Sequence, residues 1–196
     1  IGLRFVGDAD RTAPIEDTLV AASAEGMDRE DLRVLSVLTT WIDVHAARIH
    51  VDRLYRGLAG QSSRVKAYWS AIANWKRTDP RWRRVGQLHH GPRVDLIEDA
   101  DFLLRLNGED PRFAGGALRA PAGVMRDRRS DVSAPAHLAR HHRGYRWRVV
   151  MGASYRADMW ALLDAEPGLT AAELARRASG SFATAWQVRR DFAVVH

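Results

Sequence analysis

The chain has 196 residues, 46% hydrophobic and 28% charged, the profile of a globular sequence able to bury one large core or two small ones. It contains no cysteine, which excludes disulfides and thiolate metal sites, and no stretch long and apolar enough to cross a membrane or to act as a secretory signal. Net charge is +6, from 30 basic against 24 acidic side chains, and the distribution of those charges says more about partners than their total.

The basic residues are nearly all Arg, with only Lys66 and Lys76 as lysines. They are segregated. Residues 1–63 are mildly acidic, and 64–94 carry eight basic side chains against Asp79 alone. An acidic block follows (Asp95, Glu98, Asp99, Asp101, Glu109, Asp110), then a second basic zone over 112–156. Such blocks read either as a footprint for a polyanion or as charges that neutralise each other across the fold. The chain opens on Ile1-Gly2-Leu3-Arg4-Phe5-Val6 without Met, and reads as a piece of a longer protein. A cytoplasmic location is expected.

The elements follow in chain order. A first helix is expected over 14–25, with Pro14 at its start and Gly26 at its end. Asp28 caps a longer helix over 29–48, with Leu32, Leu35, Leu38, Ile42 and His45 as its buried stripe and Trp41 beside it. Residues 49–88 hold a helix pair, the second helix over 63–77 burying Val65, Trp69, Ile72 and Trp75. After Asp79-Pro80, the run 81–85 alternates as a short strand. Residues 94–106 read as one amphipathic helix stopped by Asn107-Gly108, and 114–131 as a Gly-, Pro- and Arg-rich loop. Asp110-Pro111-Arg112-Phe113 echoes Asp79-Pro80-Arg81-Trp82, each a turn into an extended segment with its ring buried. A brief helix over 133–140 precedes the best strand candidate, 145–151, with Tyr145, Trp147 and Val149 on one face and Arg146, Arg148 and Val150 on the other.

Three short helices close the chain. The first spans 155–165 and stops at Pro167-Gly168. The second opens on Thr170 with Glu173 three residues on, a capping box, and buries Leu174 with Ala171, Ala175 and Ala178. Gly180 supplies a sharp turn. Ser181 caps the third helix, over 182–194, which buries Phe182, Ala185 or Trp186, Val188 and Phe192.

The run LTAAELARRASGSFATAWQVRRDF, residues 169–192, resembles the helix-turn-helix and more specifically the winged-helix DNA-binding proteins. The resemblance implies that the third helix lies in a major groove, with Ser181, Thr184, Gln187 and Arg190 toward the bases and Arg176, Arg177 and Arg189 on phosphates. A winged helix continues into a hairpin. Here the wing is absent or lies beyond residue 196.

The segment 49–88 overlays this unit: Ile49 on Leu169, Leu54 on Leu174, Tyr55 on Ala175, Gly60 on Gly180. In that overlay Ser63, Arg64 and Lys66 take the reading-helix role, and Arg81, Arg83 and Arg84 the wing role. The expected fold is therefore mainly α with short β-strands, two winged-helix-like three-helix units (14–90 and 145–196) around a helical, loop-rich middle (91–144).

Other chemistry is weakly signalled. His137 and His141 share a helix face but have no further ligand of metalloprotease spacing. Asp99-Ala100-Asp101 sits beside a Leu-rich helix rather than at a strand end. No phosphate-cradling Gly loop, dinucleotide fingerprint or nucleophile elbow is present. Of the seven Trp, Trp41, Trp69, Trp160 and Trp186 fall at core positions, while Trp82 and Trp147 are flanked by Arg, as base-stacking rings would be. The expectation is a non-enzymatic protein without cofactor or metal that binds double-stranded DNA as a bacterial transcriptional regulator, with a homodimer as an admissible state. The alternative is a helical interaction module of a larger assembly.

Overall fold

A computed structural model describes Gly2 and residues 13–195. The opening run from Ile1 to Val6, Gly2 aside, and His196 lie outside the described residues. The described chain is mainly helical, 64% helix in eleven α-helices, with two two-residue strands. No described helix is long and apolar enough to cross a membrane. Two compact units divide it: one takes 16–43 and 51–132, and the other 13–15, 44–50 and 133–195. The boundaries near 90 and 145 expected from the overlay of two helix units fall inside these units.

The larger unit is built around one helix. Its elements are α1 (Ile15–Asp28), α2 (Leu32–His45), α3 (Val51–Leu58), α4 (Ser63–Trp75), a 3-10 turn (Pro80–Trp82), α5 (Arg83–Gly86), β1 (Val94–Asp95), α6 (Ala100–Asn107), β2 (Leu118–Arg119) and a 3-10 turn (Arg129–Asp131). In α4, Val65 and every residue from Ala67 to Ala73 are buried. A helix apolar on all sides belongs inside a core rather than on a surface. Its polar groups are satisfied there. The Tyr68 hydroxyl meets Thr39 Oγ1 at 3.0 Å, Trp69 Nε1 donates to Ser23 Oγ at 2.9 Å, and Ser70 Oγ donates to the Val85 carbonyl at 3.2 Å. Burial of this phenol pushes its pKa up, against the pull of Thr39 and Arg112. Trp69 stacks on Trp82, also buried, with centroids 6.5 Å apart. Each such ring removed from water contributes about 2–3 kcal/mol. β1 and β2 pair in parallel, Val94 opposite Leu118 and Asp95 opposite Arg119.

Several boundaries differ from the sequence expectation. Gly26 lies within α1, where it is needed for close approach: a Cβ there would stand 2.8 Å from Leu35 Cδ2. Asp31, not Asp28, opens α2, its carboxylate accepting from the Arg33 and Val34 amides. The strand expected over 81–85 is helical. Asp79 accepts from the Arg81 amide with Pro80 at the first position, and Trp82 and Val85, three residues apart, share the buried face. The helix expected from 94 begins only at Ala100, because Val94 and Asp95 pair with β2. Both Asp-Pro-Arg-aromatic segments bury their ring as expected, but the one at Asp79 is a 3-10 turn, not an extended strand, and the one at Asp110 is likewise turn.

The C-terminal unit contains α7 (Pro135–His141), α8 (Arg143–Met151), α9 (Tyr155–Ala165), α10 (Ala171–Arg177) and α11 (Phe182–Val195). The strand expected over 145–151 is α8. Tyr145 and Arg148, three apart, are buried, and Trp147 and Met151, four apart, pack on the core of the last three helices. That core is Met159, Trp160, Leu163, Leu169, Ala171, Leu174, Ala175, Ala178, Ala185, Val188 and Phe192.

A buried polar network ties 44–50 to α8 and α9. Arg148, only 2% exposed, donates to Asp158 Oδ1 from Nε at 2.8 Å and to the Arg48 carbonyl at 3.0 Å. His50 Nδ1 stands 3.4 Å from Asp158 Oδ2. His45 lies 2.8 Å from the Tyr145 hydroxyl through Nδ1 and 3.1 Å from the Ser133 carbonyl through Nε2. Burial lowers the His45 imidazole to about 4, partly opposed by the Ser133 carbonyl. Burial works to raise the Asp158 carboxyl, but His50 and Arg148 outweigh it and hold it below its ordinary value.

Candidate nucleic-acid interface

The last three helices position a polar edge. α9 starts on Ser154, whose hydroxyl accepts from the Ala157 amide. The capping box at α10 is complete: Thr170 Oγ1 accepts from the Glu173 amide at 3.2 Å, and Glu173 accepts from the Thr170 amide. The turn between α10 and α11 rests on Ser179 at φ 55, not on Gly180. Gly180 is small for another reason, since a Cβ there would fall 2.5 Å from Met159 Cε. Its amide donates to the Ala175 carbonyl at 2.9 Å, closing α10. Ser181 then caps α11, accepting from the Thr184 amide at 3.1 Å and meeting Thr184 Oγ1 at 2.8 Å.

Ala185, Val188 and Phe192 fix which side of α11 faces the core. Ser181, Gln187, Arg189 and Arg190 are exposed, and Thr184 is half-buried. Phe182 and Trp186, expected in the core, are 59% and 54% exposed. Ala185 takes the inward position between them, so the two rings fall on the outer face one turn apart. The Arg190 guanidinium lies 5.2 Å from the Trp186 ring centroid.

The expected phosphate ligands separate into two kinds. Arg177 is held by both Glu166 oxygens at 2.8 Å and is therefore engaged. That pairing lowers the Glu166 carboxyl and raises Arg177. Arg176 and Arg189 are exposed and make no ion pair with a described residue. Arg190 reaches Asp191 only at 3.9 Å, and Asp191 already accepts from Arg156 at 2.6 Å.

The residues assigned by overlay in the larger unit do not form a comparable edge. α4 is a core helix from Val65 onward, so only its first turn is accessible. Ser63 Oγ lies 3.3 Å from His89 Nδ1, Arg64 pairs with Glu30 at 3.0 Å, and Lys66 is half-buried. Arg81 is bound to the Asp79 carboxylate through Nε and Nη2. Arg84 faces Asp52 at 3.3 Å and Tyr55, its guanidinium 4.3 Å from the ring centroid; only Arg83 of the three wing candidates is exposed without an ion pair to a described residue. The same Asp-x-Arg device recurs at Asp110 with Arg112 and at Asp127 with Arg129, each carboxylate accepting the amide and the guanidinium two residues on. Most of both basic zones is neutralised in this way or across the fold, as with Lys76 and Asp43 at 2.7 Å.

The remaining candidates are plain. Asp101 pairs with Arg119, which also holds Asp95 at 2.5 Å, so the Asp99–Asp101 spacing builds no carboxylate pair. His137 and His141 stack face to face, centroids 4.1 Å apart, and His141 Nδ1 donates to the His137 carbonyl. Both nitrogens of His142 are used, one by the Tyr145 amide and one by the Ala13 carbonyl. No group of three metal-ligating side chains occurs among the described residues. Trp82 is buried and Trp147 packs on the helical core, so neither is a stacking platform.

Sequence reasoning missed the exposed Arg140 and Arg143, which make no ion pair with a described residue, and the buried Arg148–Asp158 pair. The first had a signal in hindsight: no Asp stands two residues before either Arg. The second had none. No known protein family matches the chain, and no curated protein or solved structure matches it either.

Proposed function

We propose that the C-terminal unit binds double-stranded DNA, with α11 as the helix that enters the major groove, in the manner of a bacterial transcriptional regulator. The observation that carries this reading is the outer edge of α11. Ser181 and Thr184 sit at its capped N-terminus, Gln187 and Arg190 follow at helical spacing, and all but the half-buried Thr184 are exposed. An amide and a guanidinium on one helix edge suit the acceptor and donor pattern of purines. Arg176 and Arg189, without acid partners, suit phosphates on either side. Arg177 and the residues assigned in the larger unit other than Arg83 drop out of the interface, since their charges are already met or their helix is buried; Arg83 stands alone, with no neighbouring reader on that unit.

The test is duplex binding by the whole chain across a salt series. Affinity is expected to fall steeply with salt, as counterions are released. Gln187→Ala with Arg190→Ala is expected to weaken binding at least about tenfold, about 1.4 kcal/mol, without changing the unfolding midpoint. A chain that ignores duplex DNA at low salt, or a double variant that binds as the parent does, overturns the reading.

One observation favours a second reading, a protein-docking module. Phe182 and Trp186 are exposed together on α11, and Phe102 and Leu106 are exposed one turn apart on α6, at 61% and 68%. Phe182→Ser with Trp186→Ser separates the two readings. A groove reader keeps most of its duplex affinity, and a docking module loses its association while duplex DNA never binds.

A further inference from the structure

We infer that the corner between α7 and α8 is a second anion site, built to take a phosphate group, and distinct from the edge of α11. Residues 133–195 contain nine Arg and five carboxylates. Every carboxylate is committed: Asp158 to Arg148, Asp164 to Arg146, Glu166 to Arg177, Asp191 to Arg156, and Glu173 to the capping box. Five arginines are thus left without a close carboxylate. Three, Arg176, Arg189 and Arg190, belong to the α10–α11 region already described. The other two, Arg140 and Arg143, stand either side of a single turn.

That turn lines a pocket of about 230 Å³, formed by Ala139, Arg140, His141, His142, Arg143 and Arg146 with no acidic residue on its wall. His142 makes the corner rigid. Its ring caps α8 by accepting from the Tyr145 amide at 3.0 Å, while its other nitrogen donates to the Ala13 carbonyl at 3.1 Å. Arg143 and Gly144 open α8, and their amides lie in the first turn, where no helical carbonyl reaches them. Arg146, half-exposed, also lines the wall, but its charge is met by Asp164 at 2.6 Å. The two guanidiniums without an acid partner at this concave corner offer several donors to the acceptor oxygens of a phosphate. The site does not depend on what α11 reads. A phosphodiester of a nucleic-acid backbone and a free phosphate or phosphomonoester offer the same oxygens, and the experiment distinguishes them.

The whole chain and the Arg140→Gln, Arg143→Gln double variant are titrated with inorganic phosphate at constant ionic strength by calorimetry. Both are also assayed with duplex DNA over a salt series. Both side chains are exposed, so the variant is expected to unfold at the parent midpoint. The parent is expected to bind phosphate at one saturable site, and the variant at least about tenfold more weakly. A backbone source is indicated if the variant also shows a shallower dependence of log affinity on log salt, by about one unit per lost phosphate contact. A free phosphorylated ligand is indicated if phosphate binding depends on the two arginines while duplex DNA does not bind; that result sustains the corner and removes the groove reading. Phosphate binding no tighter than chloride, or equal in the variant, overturns the corner even if Gln187 and Arg190 prove essential for duplex binding.

Discussion

The two units place a Ser-capped helix after a short turn in opposite environments. α4 follows Ser62 and α11 follows Ser181, both caps accept from the amide three residues on, and both helices carry a tryptophan near the middle. Yet α4 is enclosed from Ala67 to Ala73, while α11 buries only Ala185, Val188 and Phe192. The units also treat charge differently. Both leave some arginines without an ion pair to a described residue, but the larger one pairs most of its arginines with nearby carboxylates at or near the surface, while the smaller one sinks one Arg–Asp pair into its interior. A cap and a turn thus define where a helix begins and say nothing of what covers it. Coverage is set by the neighbours available to its apolar groups, and for α4 those include Ser23, Thr39 and Trp82.

Core truncations sharpen this contrast most. Trp69→Ala is expected to cost about 3–5 kcal/mol, through lost burial and the lost bond to Ser23, and Trp186→Ala to stay within about 0.5 kcal/mol. Urea unfolding of the two variants checks it, and equal losses would erase the distinction between core and surface helix. Charge follows the reverse assignment. Asp158→Ala strands the buried Arg148 and is expected to cost about 3–5 kcal/mol, whereas Glu25→Ala, which breaks the exposed pair with Arg29, should cost under about 1 kcal/mol.

Acid adds a comparison confined to the smaller unit. His45 titrates near 4 in the fold because burial opposes its charge, against an ordinary 6.5. The unfolded chain therefore takes up that proton first, and stability falls as pH drops from about 6.5 toward 4. The full loss is about 3 kcal/mol. Asp158, held low, contributes only further down, where its carboxylate in the unfolded chain becomes protonated. Unfolding free energies measured at pH 7 and pH 4.5 should differ accordingly, and His45→Gln should flatten that interval. A parent chain equally stable at both pH values would show that the ring is not held neutral.

The helical class, the C-terminal helix bounds and the capping box at Thr170 were legible because each is local: spacing, Pro-Gly punctuation and a two-residue reciprocal cap. What was not legible depended on distant partners. Arg148 read as the outer face of a strand, because nothing within a few residues announces that Asp158 and the Arg48 carbonyl will meet it in the interior. Helical spacing left Ala185 or Trp186 as the inward residue, and only the packed core shows that the small Ala185 takes it. The run at Arg81 read as a wing because polar and apolar residues alternate, while the decisive spacing was the helical one from Trp82 to Val85. For the candidate edge, helix position predicted which side chains stand out, but only the ion pairs show that Arg177 is occupied and Arg176 is not.

The smallest effects separate the two turns that the overlay equated. Gly60 has open space around a would-be Cβ and no positive φ, so Gly60→Ala should be neutral or gain up to about 0.5 kcal/mol by restricting the unfolded chain. Gly180→Ala meets Met159 Cε at 2.5 Å and Tyr155 Cβ at 3.3 Å, and should cost about 1 kcal/mol as the methionine is displaced within a full core. The left-handed position lies one residue earlier. Ser179→Gly relieves a conformation that costs an L-residue about 1 kcal/mol and should raise the unfolding midpoint slightly. Opposite signs at neighbouring positions 179 and 180 would show that backbone strain and side-chain crowding divide this turn between them, and a stabilising Gly180→Ala would place the strain elsewhere.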